Sequence, residues 1–342
     1  MNIFRPAGWL GLASAAVFAL AFGAQQAAAQ PKPRLTVYTY TSFAGKYGPG
    51  ATIKERFEAE CACTLDWVAS DDAGTLLSRL KLEGSGTRAD VVLGLDQNLV
   101  AEARAAGLFA PHGADLAALD LPVAWSDDTF LPFDWGWHAF VYDTTRLAAP
   151  PASFRDLVEA EHGPSLVIED PRTSAPGLGL LLWVKSLYGE EAPAVWRKLA
   201  PRIVTVTKGW SEAYGLFLKG EADMVLSYST SPAYHIGAEN ETKYRAAIFP
   251  EGHYMQVEVA ARTAASRNPD LARDFLRFML SDAFQSAIPE GNWMYPAVEP
   301  EGGLPASFAG LPAPEKSLLM SPDEVRQHRR AFVDEWLDAM SR

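Results

Sequence analysis

The chain has 342 residues, a formal net charge of −12 and an aromatic content of 11%. That length exceeds what one small core needs and predicts two lobes, while the acidic balance argues against nucleic acid, which rewards basic patches. Beyond the first thirty residues no stretch offers about 18 uncharged apolar residues, so no transmembrane helix is expected there.

Residues 1–29 read as a cleaved secretion signal. Arg5 supplies the charge, residues 8–23 an uncharged apolar run, and Ala27-Ala28-Ala29 the small-residue cleavage site. Residues 34–40 alternate β-branched and aromatic side chains and predict the first strand, and an amphipathic run follows from Ile53 to Ala59. Cys61 and Cys63 are the only cysteines. In an oxidising compartment they are expected to pair across a tight one-residue ring. Two free buried thiols come next, and a reactive thiol last.

Thr64 to Val68 predicts a second strand, and Asp72 caps a helix carrying Leu76, Leu77 and Leu80. Ala89 to Gly94 is an apolar run that fits a strand buried on both faces. Strand and helix alternate in this way in α/β sheets with mainly parallel strands. A second set of units begins with a strand over Ser165 to Ile168, a loop over residues 170–179 and a helix over Leu180 to Leu187. Val204 to Val206 and Met224 to Tyr228 are further strands, with an aromatic-rich helix between them. Ser321-Pro-Asp-Glu324 starts a last helix whose buried stripe holds Val325, Phe332, Trp336 and Met340. Two long extended runs, Phe130 to Tyr142 and Tyr254 to Ala261, read as crossings between lobes. The expected division is 30–135 plus about 262–342 for lobe one and about 136–261 for lobe two, with the ligand cleft between them.

Several aromatic residues stand among polar neighbours and not in apolar runs: Tyr40, Trp210, Tyr228, Tyr234 and Trp293. Each alone is an ordinary half-buried ring. Together, drawn from both expected lobes, they fit a cage that stacks on a flat heterocycle and attracts a cation through its ring faces. Asp72 is either a helix cap only or a carboxylate facing such a cation. Ser174 lies in a loop before a helix, where hydroxyls and amides suit a phosphate as well as an ordinary cap. No nucleophile elbow, His-Glu-X-X-His pair or P-loop occurs, and the six histidines lack metal-ligand spacing. Neither a catalytic residue nor a metal or cofactor site is therefore expected.

The motifs Leu35-Thr-Val-Tyr-Thr-Tyr40, Ala89-Asp-Val-Val-Leu-Gly-Leu-Asp96, Asp170-Pro-Arg-Thr-Ser174, Pro176-Gly-Leu-Gly179, Thr205-Val-Thr-Lys-Gly-Trp-Ser-Glu-Ala-Tyr-Gly215, Ser231-Pro-Ala-Tyr-His235 and Gly291-Asn-Trp-Met-Tyr-Pro296 span nearly the whole chain in one order. In them the chain resembles the periplasmic thiamine-binding proteins of Gram-negative bacteria. A monomer is expected; the resemblance implies a type II periplasmic-binding-protein fold and a periplasmic location. It also implies capture of thiamine, thiamine monophosphate and thiamine diphosphate, and their delivery to the membrane permease of an ABC transporter. Carried onto this sequence, the ring contacts fall on Tyr40, Trp210, Tyr228, Tyr234 and Trp293, the acidic contact on Asp72 and the phosphate end on Ser174. The chain departs from the family pattern at Thr41, Tyr47 and Ala73. Two other readings compete: a thiamine-cleaving enzyme of the thiaminase I type using Cys61 or Cys63 as nucleophile, and a ferric-iron carrier, which leaves the tryptophans without a role.

Overall fold

The computed structural model describes residues 32–341, so the expected secretion signal lies outside the described residues. Strand β1 (Arg34–Tyr40) runs into a one-turn helix α1 (Thr41–Ala44), and α2 (Gly50–Cys61) returns the chain to β2 (Thr64–Ser70). Then follow α3 (Ala73–Glu83), β3 (Val91–Asp96), α4 (Gln97–Ala105), β4 (Phe109–Ala110) and the long β5 (Leu131–Asp143). The middle of the chain builds α5 (Phe154–Glu159), β6 (Leu166–Glu169), α6 (Ala175–Tyr188), α7 (Ala192–Leu199), β7 (Ile203–Thr207), α8 (Trp210–Leu218), β8 (Met224–Tyr228), α9 (Pro232–Ala238) and β9 (Tyr244–Ala247). A second long strand, β10 (His253–Thr263), leads to α10 (Pro269–Phe278), α11 (Asp282–Gln285), α12 (Ile288–Gly291), β11 (Tyr295–Pro296), β12 (Ser317–Leu318) and α13 (Pro322–Met340).

The main sheet runs in the order β2-β1-β3-β10-β5-β8-β6-β7. β1 is parallel to β2 and β3, and β6 is parallel to β7 and β8, so two parallel wings form, each with its crossover helices. The wings meet on β5 and β10, which lie antiparallel to each other. Residues 131–137 of β5 pair with β10, whereas residues 138–142 pair with β8, so one continuous strand passes from one wing to the other. β3 is buried along its whole length, as its apolar run Val91-Val-Leu93 requires of a strand covered on both faces.

One core, with Val37, Leu93, Phe133, Phe275 and Phe284, fills the space between the first wing and α10. A larger one runs from Leu76 and Val92 to Trp183 and Leu226, and so underlies both wings. Each fully buried aliphatic or aromatic side chain contributes about 1.5–3 kcal/mol relative to exposure. α13 ties the wings at the back. Arg329 pairs with Glu102 of α4 at 2.7 Å, Glu335 with Lys185 of α6 at 2.8 Å, and Trp336 meets Trp196 of α7 edge-on at 6.5 Å. Its start is the expected one, with the Ser321 hydroxyl accepting from the Glu324 amide and Pro322 in the first turn.

Helix α6 begins at Ala175, five residues ahead of the helix expected from Leu180. Pro176 suits a first turn, and the helix carries glycine at 177 and 179 because the space a side chain would need there is taken. A Cβ on Gly179 would lie 2.1 Å from His138 Nε2, and one on Gly177 2.6 Å from the Glu169 carbonyl oxygen. Cys61 and Cys63 form a disulfide, with the intervening Ala62 in the left-handed region at φ 50°.

Candidate ligand-binding site

The carboxyl ends of β1 and β8 and the amino ends of α3, α6 and α8 converge on a cavity of about 560 Å³. This is where an open parallel sheet leaves its crevice. Tyr40, Asp72, Trp210, Tyr228, Tyr234 and Trp293 line it, so six of the seven residues singled out in the sequence come together. Ser174 does not line it. Its buried hydroxyl caps α6 by accepting from the Gly177 amide at 3.4 Å, and its neighbours Ala175 and Pro176 form the wall instead.

Tyr40 is placed by a glycine. Gly94, at φ 100°, lies under the phenol ring, and a Cβ there would sit 2.2 Å from a ring carbon. The Tyr40 hydroxyl donates to Glu258 Oε2 at 2.7 Å, and burial raises its pKa well above the usual phenol value. Trp210 opens α8, donates from Nε1 to the Ser227 hydroxyl at 2.8 Å and stacks on Tyr214 at 4.9 Å between centroids. Tyr214 in turn stacks on His235, which holds Glu239 at 2.7 Å, so a column of rings backs the Trp210 indole. Tyr228 rests on the His138 imidazole, and its hydroxyl donates to Gln256 at 3.2 Å. Tyr234 and Trp293 meet edge-on at 5.4 Å. Trp293 has φ 57°, a conformation that costs an L-residue about 1–2 kcal/mol and that clusters at functional sites.

Asp72 is both cap and connector. Its Oδ1 accepts from Ala73 N at 2.7 Å and Ala175 N at 3.0 Å, and its Oδ2 from Trp210 N at 3.2 Å. One carboxylate thus joins the amino ends of α3, α6 and α8, three partial positive charges. Burial nevertheless raises its pKa above the ordinary value, with the three amides opposing the shift. Gly74 beside it permits this approach, since a Cβ there would meet the Thr173 carbonyl at 2.7 Å.

Sequence reasoning missed four contributors. Tyr47 stands at the mouth, 72% exposed, and Tyr214 backs the wall. Glu258 and Asn292 line the floor, and Asn292 Nδ2 lies 2.6 Å from Asp134 Oδ2 and 2.9 Å from the Tyr40 oxygen. A lone glutamate inside the apolar run of β10 was the one signal available for this group. The disulfide sits between the end of α2 and the start of β2, and neither cysteine lines the cavity.

The model of the bacterial extracellular solute-binding proteins matches residues 44–286. The chain belongs to that family. It is 57% identical over 311 residues to the thiamine-binding periplasmic protein of Escherichia coli (strain K12), covering 91% of this chain and 94% of that protein. A solved structure described as a periplasmic thiamin binding protein superposes with a TM-score of 0.89 at 56% identity, over 91% of this chain and 97% of that one. Iron-bound HitA from Pseudomonas aeruginosa, at 22% identity and a TM-score of 0.73 over 90% of this chain and 99% of its own, shares the fold alone. The fold is that of the type II periplasmic binding proteins. This solute-binding protein is periplasmic, and like these relatives it is a binding protein and not an enzyme.

Proposed function

We propose that this chain captures thiamine in the periplasm and hands it to the membrane permease of an ABC transporter. The observation that carries the reading is the cage itself: seven aromatic rings around one cavity that also holds the buried carboxylates of Asp72 and Glu258. The only basic side chain of the lining, Lys46, is exposed. Such a lining suits a flat heterocycle that bears a fixed positive charge, and the names of the relatives point to the same molecule. Each desolvated cation–π contact contributes about 2 kcal/mol. Two or three of them with stacking and hydrogen bonds account for nanomolar affinity, about −12 kcal/mol.

In this reading the wings are lobes that close about β5 and β10 and bury the vitamin, and closure is stabilised only by the ligand's preference for the closed state. Thiamine monophosphate and diphosphate occupy the same cavity. Their phosphates turn toward the amides at the starts of α6 and α8, near Ser174, and compete there with the Asp72 carboxylate. Tryptophan fluorescence during titration with thiamine tests the cage. Trp210→Ala and Trp293→Ala are each expected to weaken binding at least about tenfold, about 1.4 kcal/mol, with the circular-dichroism melt preserved. Wild-type affinity in both folded variants would refute the reading.

A further inference from the structure

At the floor of the cavity, Asp134 of β5 and Glu258 of β10 stand directly opposite each other in the register of the two strands that join the wings. Both are buried, Asp134 completely and Glu258 to 5% exposure, and Glu258 lines the cavity. Among the described residues no ion pair joins either carboxyl to a basic side chain. Besides each other, their partners are neutral: Asn292 Nδ2, 2.6 Å from Asp134 Oδ2 and 3.2 Å from Glu258 Oε2, and the Tyr40 hydroxyl on Glu258. Asp134 Oδ1 is buried with no hydrogen-bond partner at all. The groups that face this pair from the surrounding elements are Tyr40 on β1, Asp96 at the end of β3, Tyr228 on β8 and Asn292 after α12. None is a cation, and no basic side chain is among the groups that shift either carboxyl; Arg329 of α13 acts on Asp96 instead.

Two carboxyls cannot both ionise in such a place without a counter-charge, because burying an unpaired charge costs several kcal/mol. Burial and then their mutual repulsion raise the pKa of Glu258, and burial raises that of Asp134. A proton shared by the pair relieves that repulsion. A permanently cationic ring entering the cavity supplies the missing counter-charge.

Building on the thiamine reading above, we propose that the Asp134–Glu258 pair is the counter-ion that selects a cationic ligand, and that binding drives the shared proton from the pair to solvent. Affinity is then linked to pH: ionising the pair is part of binding, so binding tightens as pH rises toward the pair's own pKa. It gains up to about tenfold per pH unit when one proton is released.

Calorimetric titration with thiamine between about pH 6 and pH 8, in buffers of different ionisation enthalpy, counts the protons. The full chain without its signal is expected to release close to one proton per thiamine at the lower pH and to bind more tightly at the higher. Glu258→Gln and, separately, Asp134→Asn are expected to abolish the release, flatten the pH dependence and weaken binding at least tenfold at the higher pH. Both substitutions remove a buried charge and keep the shape, and a thermal melt reports folding. Thiamine binding to wild type with no proton release and the same affinity across the range overturns the proposal while leaving the carrier reading intact. Release that persists in the folded variants also overturns it, because the proton then comes from elsewhere. If wild type binds no thiamine, the carrier reading fails and this inference with it.

Discussion

Tyr40 can lie flat on β3 only because position 94 has no side chain. Gly94→Ala brings a Cβ to within 2.2 Å of the ring and forces an L-residue to φ 100°. The expected cost is about 2–4 kcal/mol of stability, from strain plus overpacking, read as a lower urea midpoint. A midpoint equal to wild type would mean the ring moves aside freely. The same residue shows what sequence could and could not reveal. Tyr40, Trp210, Tyr228, Tyr234 and Trp293 were legible because rings at strand ends and in polar loops have few structural uses. Ser174 was placed correctly before a helix; its hydroxyl caps α6 and bonds the Asp72 carboxylate without lining the cavity itself. Asn292 and Glu258 were not legible, since their role arises only where β5 and β10 bring Asp134 against Glu258 across strands distant in sequence.

Elements with a strong local period were the readable ones. β1, β2 and β3 follow their alternating or continuous apolar runs, and each of the two long extended runs is a single strand, β5 and β10. The expected loop over residues 170–179 was half helix, because Pro176 suits its first turn and Gly177 and Gly179 fit against the Glu169 backbone and His138. Two-residue strands such as β11 and β12 have no local signature and exist only by pairing with β5 and β10. The last helix is legible from its cap and stripe, yet nothing in its own residues says that it touches α4 on one wing and α6 and α7 on the other. Ser321→Ala removes the acceptor for the Glu324 amide. It should lower stability by about 1 kcal/mol, measured by chemical denaturation. No change would show that water replaces the cap at no cost.

At the scale of the whole molecule, one buried acid contributes a part of the stability that falls as pH rises, opposite in sign to that of the acids held in ion pairs. Asp96, completely buried at the start of α4, has its pKa raised to about 7 by burial, against the opposing pull of Asn98, Leu99 and Arg329. A raised carboxyl binds its proton more tightly in the folded than in the unfolded chain, whose value is about 3.9. Its contribution is therefore complete below about pH 4 and is lost as pH rises through about 7. Asp96→Asn keeps a capping side chain and is expected to flatten the fall in urea-unfolding stability between about pH 4.5 and pH 7.5; an unchanged slope would assign the dependence to other groups. The cavity has its buried carboxyl pair on the long strands β5 and β10, where the wings meet, and its aromatic side chains come from both wings.

Calorimetric titration of the protein without its signal, purified through unfolding and refolding to strip carried ligand, tests the central claim most directly. One molecule of thiamine per chain is expected to bind with nanomolar affinity, with free pyrimidine absent afterwards and both phosphate esters competing for the same site. The absence of heat with thiamine and with either ester, from a chain shown to be folded, would contradict the assignment of the aromatic cavity to this vitamin.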